Sequence, residues 1–341
     1  MAQHLDVVFD RAYYFDAKIR HDTDMRCNQY AARELPDLDI FYTESNLGQF
    51  EHFTHDQVLV GGIQPNMILG MLIGADFVPH PAMDADISMT PLMGIDPDSL
   101  PSPERLLDHD LIRLFDAQIA QIKNDGALSP IPPFFWDASG RATLHGTLTT
   151  AQKFLGESLF IDLMTEPEKG VKVMDWITEC SIVLTRHFSE VADLPMTAVH
   201  IGECSGCMVN SDMFEQFVLP QASRISESFG PLRFHSCGCS THLLESIKRI
   251  SNLAMLDLGG DTSMARVRDI FGRDFPVDMA PMPADFSADS SEPILNWAKQ
   301  VIEQNAGGNL RINYHLEPDY KLEIVRSLNR YVTNLNNGSN H

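Results

Sequence analysis

The sequence predicts a (β/α)8 barrel of the TIM type that carries an irregular N-terminal extension. The length of 341 residues suits a single α/β barrel. Strand-like runs alternate with helix-like stretches through the second half of the chain, which predicts parallel pairing. Polar residues also gather where these runs end, and barrels place their chemistry at the carboxyl ends of the strands.

Eight segments have the composition of strands. Five lie in the C-terminal 150 residues, at 196–203, 231–237, 253–260, 275–282 and 309–316, and a sixth precedes them at 142–149. The less regular front of the chain supplies two further candidates, at 57–62 and 128–136. Six to eight units of this kind favour a closed barrel over an open sheet.

The intervening stretches read as amphipathic helices. One helix is predicted to begin at Ser240 or Thr241, and another at Ser291 with Pro293 in its first turn. A last helix is expected after Pro318. The Gly- and Met-rich segment 61–77 is interpreted as a buried strand and helix packed through small residues.

We expect one barrel domain over residues 1–335, with an N-terminal elaboration over about 1–60. A disordered tail is expected over 336–341.

Composition and charge exclude several classes of function. The net charge of −22 disfavours nucleic-acid binding, because a phosphate backbone would be repelled. The chain has no apolar run of the roughly 18 residues needed to span a bilayer, and its start lacks a basic-then-apolar leader. We therefore expect a cytoplasmic, soluble protein. From Asp76 to Asp110 there are eight acidic residues, which form either a solvated loop region or a docking face for a partner or a cationic substrate.

The six cysteines are concentrated in one part of the sequence. A disulfide framework is not expected in a chain of this length without a leader. Four of the six lie between residues 204 and 239, which favours metal binding or thiol chemistry. Cys204 and Cys207 have the spacing of a redox motif, but they lie late in the chain and in a barrel context.

The strongest local motif is FHSCGCSTH at 234–242, where a strand gives way to a helix. Residues two apart in an extended segment face the same way, so His235 and Cys237 are expected to point together. Imidazole and thiolate form a good pair of ligands for Zn²⁺. A hydrogen-bonded core histidine is the alternative interpretation of His235.

A third ligand must come from another strand end, and several residues qualify. The candidates are His315, Glu203, Cys204, Cys207 and Cys239. Asp257 is a further strand-end carboxylate that either caps a helix or makes a loop hydrogen bond, or else orients substrate or acts as an acid or base. Phosphate-binding and dinucleotide-binding glycine motifs and the GxSxG elbow are absent from the sequence.

Several segments together resemble the uroporphyrinogen decarboxylase superfamily, over about residues 140–335. They are 145–179, 211–225, 234–247, 275–286 and 312–328. This superfamily includes the decarboxylase and the zinc-dependent, corrinoid-linked methyltransferases, and the resemblance implies a (β/α)8 barrel.

The resemblance favours the methyltransferase branch. Residues 1–60 hold no match to the arginine-bearing motif with which the decarboxylase grips carboxylates. The methyltransferase branch carries the His-x-Cys that matches His235 and Cys237, and His315 stands about where its late cysteine would be. An imidazole in place of a thiolate implies a stronger Lewis acid, which would suit an oxygen, nitrogen or sulfur methyl donor.

The expected function is a zinc-dependent methyltransferase acting on a small methyl donor. His235, Cys237 and His315 would bind the zinc, Glu203 would be a fourth ligand displaced by substrate, and Asp257 would orient substrate. The acceptor would be a corrinoid on a partner protein docked over the barrel mouth, or a thiol.

Two alternatives remain open at this stage. One is a decarboxylase or lyase of the same superfamily acting on a carboxylated small molecule or tetrapyrrole. The other is a non-enzymatic protein that binds a corrinoid or a metal. The sequence leaves the oligomeric state open, with a homodimer among the options.

Overall fold

The computed structural model describes residues 2–38, 56–81, 83–317 and 319–338. The described strands are β1 (Gln57–Leu59), β2 (Phe77–Val78), β3 (Asp86–Ile87), β4 (Ser129–Ile131), β5 (Arg141–His145), β6 (Ala198–Gly202), β7 (Leu232–Ser236), β8 (Leu253–Gly259), β9 (Val277–Ala280) and β10 (Leu310–Ile312). Strands β5 to β10 form one parallel sheet in sequential order, β1 pairs with β4 in parallel, and β2 pairs with β3 antiparallel.

Helices separate most of these strands. They are α1 (Arg11–Phe15), α2 (Ala17–Glu34), α3 (Pro65–Leu72), α4 (Asp110–Asp125), α5 (Thr147–Leu155), α6 (Ser158–Thr165), α7 (Pro167–Ala192), α8 (Ser211–Met213), α9 (Leu219–Phe229), α10 (Leu244–Ile247), α11 (Met264–Phe271), α12 (Pro283–Phe286), α13 (Glu292–Asn305) and α14 (Leu322–Gly338). A π turn over Phe214–Val218 joins α8 to α9. Short 3-10 helices occupy Ala2–Leu5, Pro97–Ser99, Pro103–Asp108, Cys204–Met208 and Thr241–Leu243.

The predicted α/β class with parallel pairing is confirmed, and each of the eight predicted strand segments contains a strand. Several boundaries were wrong. The strands in 57–62 and 128–136 stop at Leu59 and Ile131, and two further cases bear on the site. The segment 142–149 stops being a strand at His145, because the chain turns at Gly146 and begins α5 at Thr147. The segment 309–316 stops at Ile312, so its last four residues lie outside the sheet. Hydrogen bonds between the described strands do not join the sheets into a closed ring.

The six-stranded sheet has two faces of different chemistry. Alternate residues such as Ile201, Phe234 and Leu256 are buried and belong to the main hydrophobic core. The residues between them in sequence, such as His200 and Arg233, are also buried but polar. Because paired residues of parallel strands face the same side, the polar side chains meet on one inner face.

The N-terminal extension packs against this framework through aromatic residues. Tyr13, Tyr14 and Phe15 are buried on α1, and the Asp16 carboxylate caps α2 by accepting hydrogen bonds from the backbone N–H groups of Lys18 and Ile19. Helix α3 is buried throughout, and Gly70 lies against Ile87 and Phe154, as expected for packing through small residues.

The C-terminal end differs from its expected form. Helix α14 continues to Gly338, so residues 336–338, which were expected in a disordered tail, are helical. Residues 339–341 and Pro318 lie outside the described residues. Among the described helices, none has both the length and the hydrophobicity needed to cross a bilayer.

Candidate metal centre

Three potential metal ligands converge at the carboxyl edge of the parallel sheet. Cys204 follows β6, His235 lies near the end of β7, and Cys237 comes directly after β7. One ligand atom from each residue lies within 4.8 Å of the other two. A tetrahedral zinc with Zn–S bonds of about 2.3 Å places two sulfurs about 3.8 Å apart. The donor set of two sulfurs and one nitrogen therefore fits a zinc ion with little movement.

Asp257 fixes the orientation of the His235 imidazole. Its Oδ2 lies 2.8 Å from Nδ1 of His235, which leaves Nε2 to face Cys204 and Cys237. Burial opposes protonation of His235, but the charge and hydrogen bond of Asp257 outweigh it and raise the pKa to about 9. Carboxylates that hold a metal-binding histidine in this way fix its tautomer and increase its basicity as a ligand.

A chain of alternating charges continues from Asp257 across the inner face of the sheet. Arg233 lies 2.8 Å from Asp257 through Nη1 and 2.7 Å from Asp278 through Nη2. On the next strand, Nε of Arg311 donates to Oδ1 of Asp278 at 2.9 Å. Arg233, Asp257 and Asp278 are buried and Arg311 is half-buried, and each of these charges has a partner of opposite sign. The charge of the His235–Asp257 pair is therefore compensated by its neighbours.

The pKa values of Cys204 and Cys237 are shifted in opposite directions. The thiol of Cys204 and the imidazole of His235 donate hydrogen bonds to the sulfur of Cys237, which lowers the pKa of Cys237. The same contact, together with burial, raises the pKa of Cys204. Cys237 is therefore the thiolate of the pair, and thiolate is the form that binds a metal.

Glu203 does not belong to the group of potential ligands, although the sequence placed it there. Its buried carboxylate accepts hydrogen bonds from the backbone N–H of Leu148 at 3.1 Å and from the N–H and hydroxyl of Thr149 at 2.8 and 2.6 Å. Burial raises its pKa to about 7. Both oxygens of Glu203 are turned to the start of α5, so the residue anchors this helix. It does not face the cluster of Cys204, His235 and Cys237, which is called the metal group below.

His315 also stands apart from the group. The side chain is exposed, because β10 ends at Ile312 and the chain leaves the sheet before it reaches residue 315. Cys204, one of the alternatives left open by the sequence, takes the third position. Cys239 is exposed, and the thiol of Cys207 donates to the backbone oxygen of Cys204 at 3.1 Å.

Asp257 was expected to cap a helix or to act on a substrate, whereas its described contacts are with His235 and Arg233. Sequence reasoning also missed the ion pairs of Arg233 and Arg311 below the site. The available signal was the alternation of charged residues within runs that are otherwise apolar, as in Leu-Arg-Phe-His at 232–235.

A separate recess of about 100 Å³ lies at the carboxyl ends of β1 and β4. The N-terminal extension forms part of its wall through Tyr13, Tyr14 and Arg20. The guanidinium of Arg20 stacks on Tyr13 at 4.4 Å, pairs with Asp24 and donates to the backbone oxygen of Gly62. The extension therefore helps to build the same edge of the strands that holds the metal group.

Comparisons with known proteins agree with this architecture. Residues 143–302 match the family model for uroporphyrinogen decarboxylase (URO-D). No curated protein matches the sequence significantly. Among solved structures, a methyltransferase from Methanosarcina mazei aligns with a TM-score of 0.62 over 96% of this chain and 88% of that chain, at 14% identity. At this identity the likeness establishes a shared fold. The segment that matches the uroporphyrinogen decarboxylase model contains Cys204, His235 and Cys237.

Proposed function

We propose that this protein is a zinc-dependent methyltransferase that moves a methyl group between a small methylated substrate and a corrinoid or thiol acceptor. The observation that carries the proposal is the convergence of Cys204, His235 and Cys237 at the strand ends. The match of residues 143–302 to the uroporphyrinogen decarboxylase model and the fold shared with a protein named as a methyltransferase support it.

The proposal includes a closed barrel. Strands β1 and β4 together with β5 to β10 make eight parallel strands, the number in a TIM barrel. Phe134, just after β4, accepts a hydrogen bond from the backbone N–H of Thr143 on β5 at 2.7 Å, and Phe135 forms an isolated antiparallel bridge with Ala142, so the segment that follows β4 contacts β5. We infer that β10 and β1 close the ring.

Zinc would be held by the sulfurs of Cys204 and Cys237 and by Nε2 of His235. When bound, it supplies Lewis-acid activation of the heteroatom that carries or receives the methyl group. Three protein ligands leave one position of a tetrahedral zinc free, which favours a catalytic site over a closed storage site. With Cys204 as third ligand, ligand charge no longer selects among oxygen, nitrogen and sulfur donors.

The protein's own groups have distinct tasks around this site. Asp257 holds the imidazole of His235 in place, and Glu203 ties the segment that carries Cys204 to the start of α5. The corrinoid acceptor, carried by a partner protein, would dock over the strand-end face beside the acidic segment Asp76–Asp110. Within that segment Lys153 pairs with Asp86, Lys172 with Asp98 and Arg113 with Asp110, and Tyr14 donates to Asp84. A basic partner surface would meet the remaining carboxylates of the segment.

The decarboxylase alternative is weaker because the arginines on the inner face of the sheet, Arg233 and Arg311, already pair with aspartates. Arg233 pairs with Asp257 and Asp278, and Arg311 pairs with Asp278. Both guanidinium groups are therefore compensated by aspartates of the sheet itself. A substrate carboxylate would have to displace one of these buried ion pairs.

Methyl transfer tests the proposal directly. The zinc-loaded protein is mixed with free cob(I)alamin and a panel of oxygen, nitrogen and sulfur methyl donors, and methylcobalamin formation is followed by its visible spectrum. We expect at least one donor to react. The His315→Gln variant should keep both stoichiometric zinc and the reaction, whereas Cys204→Ser should lose both. No methylcobalamin with any donor, or loss of zinc in His315→Gln but not in Cys204→Ser, would contradict the proposal.

A further inference from the structure

His145 lies on the same inner face of the sheet as His235, two strands away. It pairs in register with Gly202 on β6, which pairs with His235 on β7. Paired residues of parallel strands face the same side, so both imidazoles stand at the same level of the strand ends. Only Gly202, which has no side chain, lies between them in the sheet.

The position over Gly202 has room for a Cβ in ordinary van der Waals contact. A Cβ placed there would meet only the backbone oxygen of Leu144 at 3.7 Å and Cδ2 of His235 at 3.9 Å among the described residues beyond its chain neighbours. His235 thus borders one side of this slot, and no atom of His145 comes within 4 Å of the position. The slot is bounded by the metal group on one side and by β5 on the other.

Two buried polar atoms on β5 have no partner within the described part of the chain. They are Nδ1 of His145 and the hydroxyl oxygen of Thr143, which lies one step deeper on the same face. A buried polar atom without a hydrogen bond costs about 1–3 kcal/mol, so such atoms in a native protein point to a bound ligand or water. Burial, with the charges of Lys153 and His235, lowers the pKa of His145 to about 4, so its imidazole is neutral at neutral pH.

The backbone around His145 is held firmly. The N–H of Gly146 donates to the backbone oxygen of Gly202 at 2.8 Å, and Glu203 clamps the first turn of α5 directly behind it. The N–H of Glu203 donates in turn to the backbone oxygen of His235 at 2.8 Å. The turn that carries His145 and the strand that carries His235 are therefore fixed to each other through one residue.

We propose that His145 is a substrate-contacting residue whose imidazole donates a hydrogen bond to the heteroatom of the small molecule placed in the slot over Gly202. This inference rests on the proposed function, since the heteroatom is the one that exchanges the methyl group. When the carbon–heteroatom bond breaks, its electron pair stays on the heteroatom and the reduced corrinoid supplies the pair for the new bond. A neutral N–H donor stabilises the charge left on the heteroatom.

The test uses Co²⁺-substituted protein and 2-mercaptoethanol as the probe, followed through the visible spectrum of the cobalt. We expect His145→Leu to bind one Co²⁺ with the wild-type spectrum but to bind the probe about tenfold more weakly, as expected for one lost hydrogen bond. His145→Gln, which keeps a donor, should recover part of the affinity. Gly202→Ala should keep the fold and the metal while it fills the slot and weakens probe binding.

His187→Gln is the matched control, because that histidine lies on α7 and pairs with Asp116. It should bind metal and probe as the wild type does. Wild-type probe affinity in both His145→Leu and Gly202→Ala would overturn the role of His145 while leaving the metal site intact. Loss of Co²⁺ from His145→Leu would show that it acts on the metal group instead. Failure of the wild type to bind Co²⁺ would overturn both this inference and the proposed function.

Discussion

At the scale of single residues, the site depends on how one carboxylate is shared. Asp257 accepts hydrogen bonds from His235 and from Arg233 through the same oxygen. Burial opposes its charge, but Arg233 and His235 hold the pKa of Asp257 far below its usual range. The carboxylate is therefore permanently ionised and presents a fixed acceptor to the imidazole.

Asp257→Asn should lower zinc affinity by about 10- to 100-fold, because the amide cannot orient and polarise His235 as the carboxylate does. Competition with a chromophoric chelator measures this affinity. Asp269→Asn, an exposed aspartate on α11, is the control and should leave the affinity unchanged. Equal affinities in both variants would show that Asp257 has no part in metal binding.

The lowered pKa of His145 should make the stability of the zinc-free protein depend on pH. Its pKa is about 4 when folded and 6.5 as an ordinary histidine, so the unfolded chain binds the extra proton between these values. The contribution to stability is present above pH 6.5 and is lost as the pH falls towards 4. His145→Gln should flatten the fall of unfolding free energy by up to about 1.4 kcal/mol per pH unit. Denaturant titrations at several pH values measure it, and parallel curves for both proteins would refute it.

Sequence reasoning singled out His235 and Cys237, which the structure brings together, but it favoured His315 as the third ligand where the structure brings Cys204. A motif two residues apart on one strand gives the first two, since the geometry of a strand is local. The third depends on where other strands end. His315 was favoured on the family pattern, yet β10 stops at Ile312 and the histidine is exposed, whereas Cys204 follows the strand that neighbours β7.

At the scale of elements, the turn from β5 to α5 is the part that the sequence misplaced. The segment 142–149 looks like one strand because Thr and Leu alternate in it. The structure breaks it at Gly146, where the Glu203 carboxylate comes so close that any side chain would collide with it. That carboxylate satisfies the free N–H groups of α5, so tertiary contacts end the strand.

Gly146→Ala should therefore destabilise the protein by about 1–3 kcal/mol, through a collision with the carboxylate of Glu203. Gly202→Ala is the matched control on the adjacent strand, because a Cβ there makes only ordinary contacts. Chemical denaturation of the zinc-free proteins gives the comparison. If the two variants lose the same small amount of stability, Glu203 does not hold the turn closely.

At the scale of the whole molecule, the groups proposed to bind metal and substrate lie together at one edge of the strands. The metal group, His145 and the recess walled by the N-terminal extension lie at the carboxyl ends of the parallel strands. The alternation of strands and helices was sufficient to predict this edge, since barrels place ligands there. The charged inner network was not predictable in detail, because its pairs join residues from four different strands.

The identity of the zinc ligands is the central claim, and X-ray absorption at the zinc edge tests it most directly. The purified protein should contain one zinc per chain, with a coordination shell of two sulfurs and one imidazole nitrogen plus one light atom. Cys204→Ser should reduce the shell to one sulfur or lose the metal, and His315→Gln should leave it unchanged. A shell with one sulfur and two imidazoles, altered by His315→Gln and not by Cys204→Ser, would contradict the site described above.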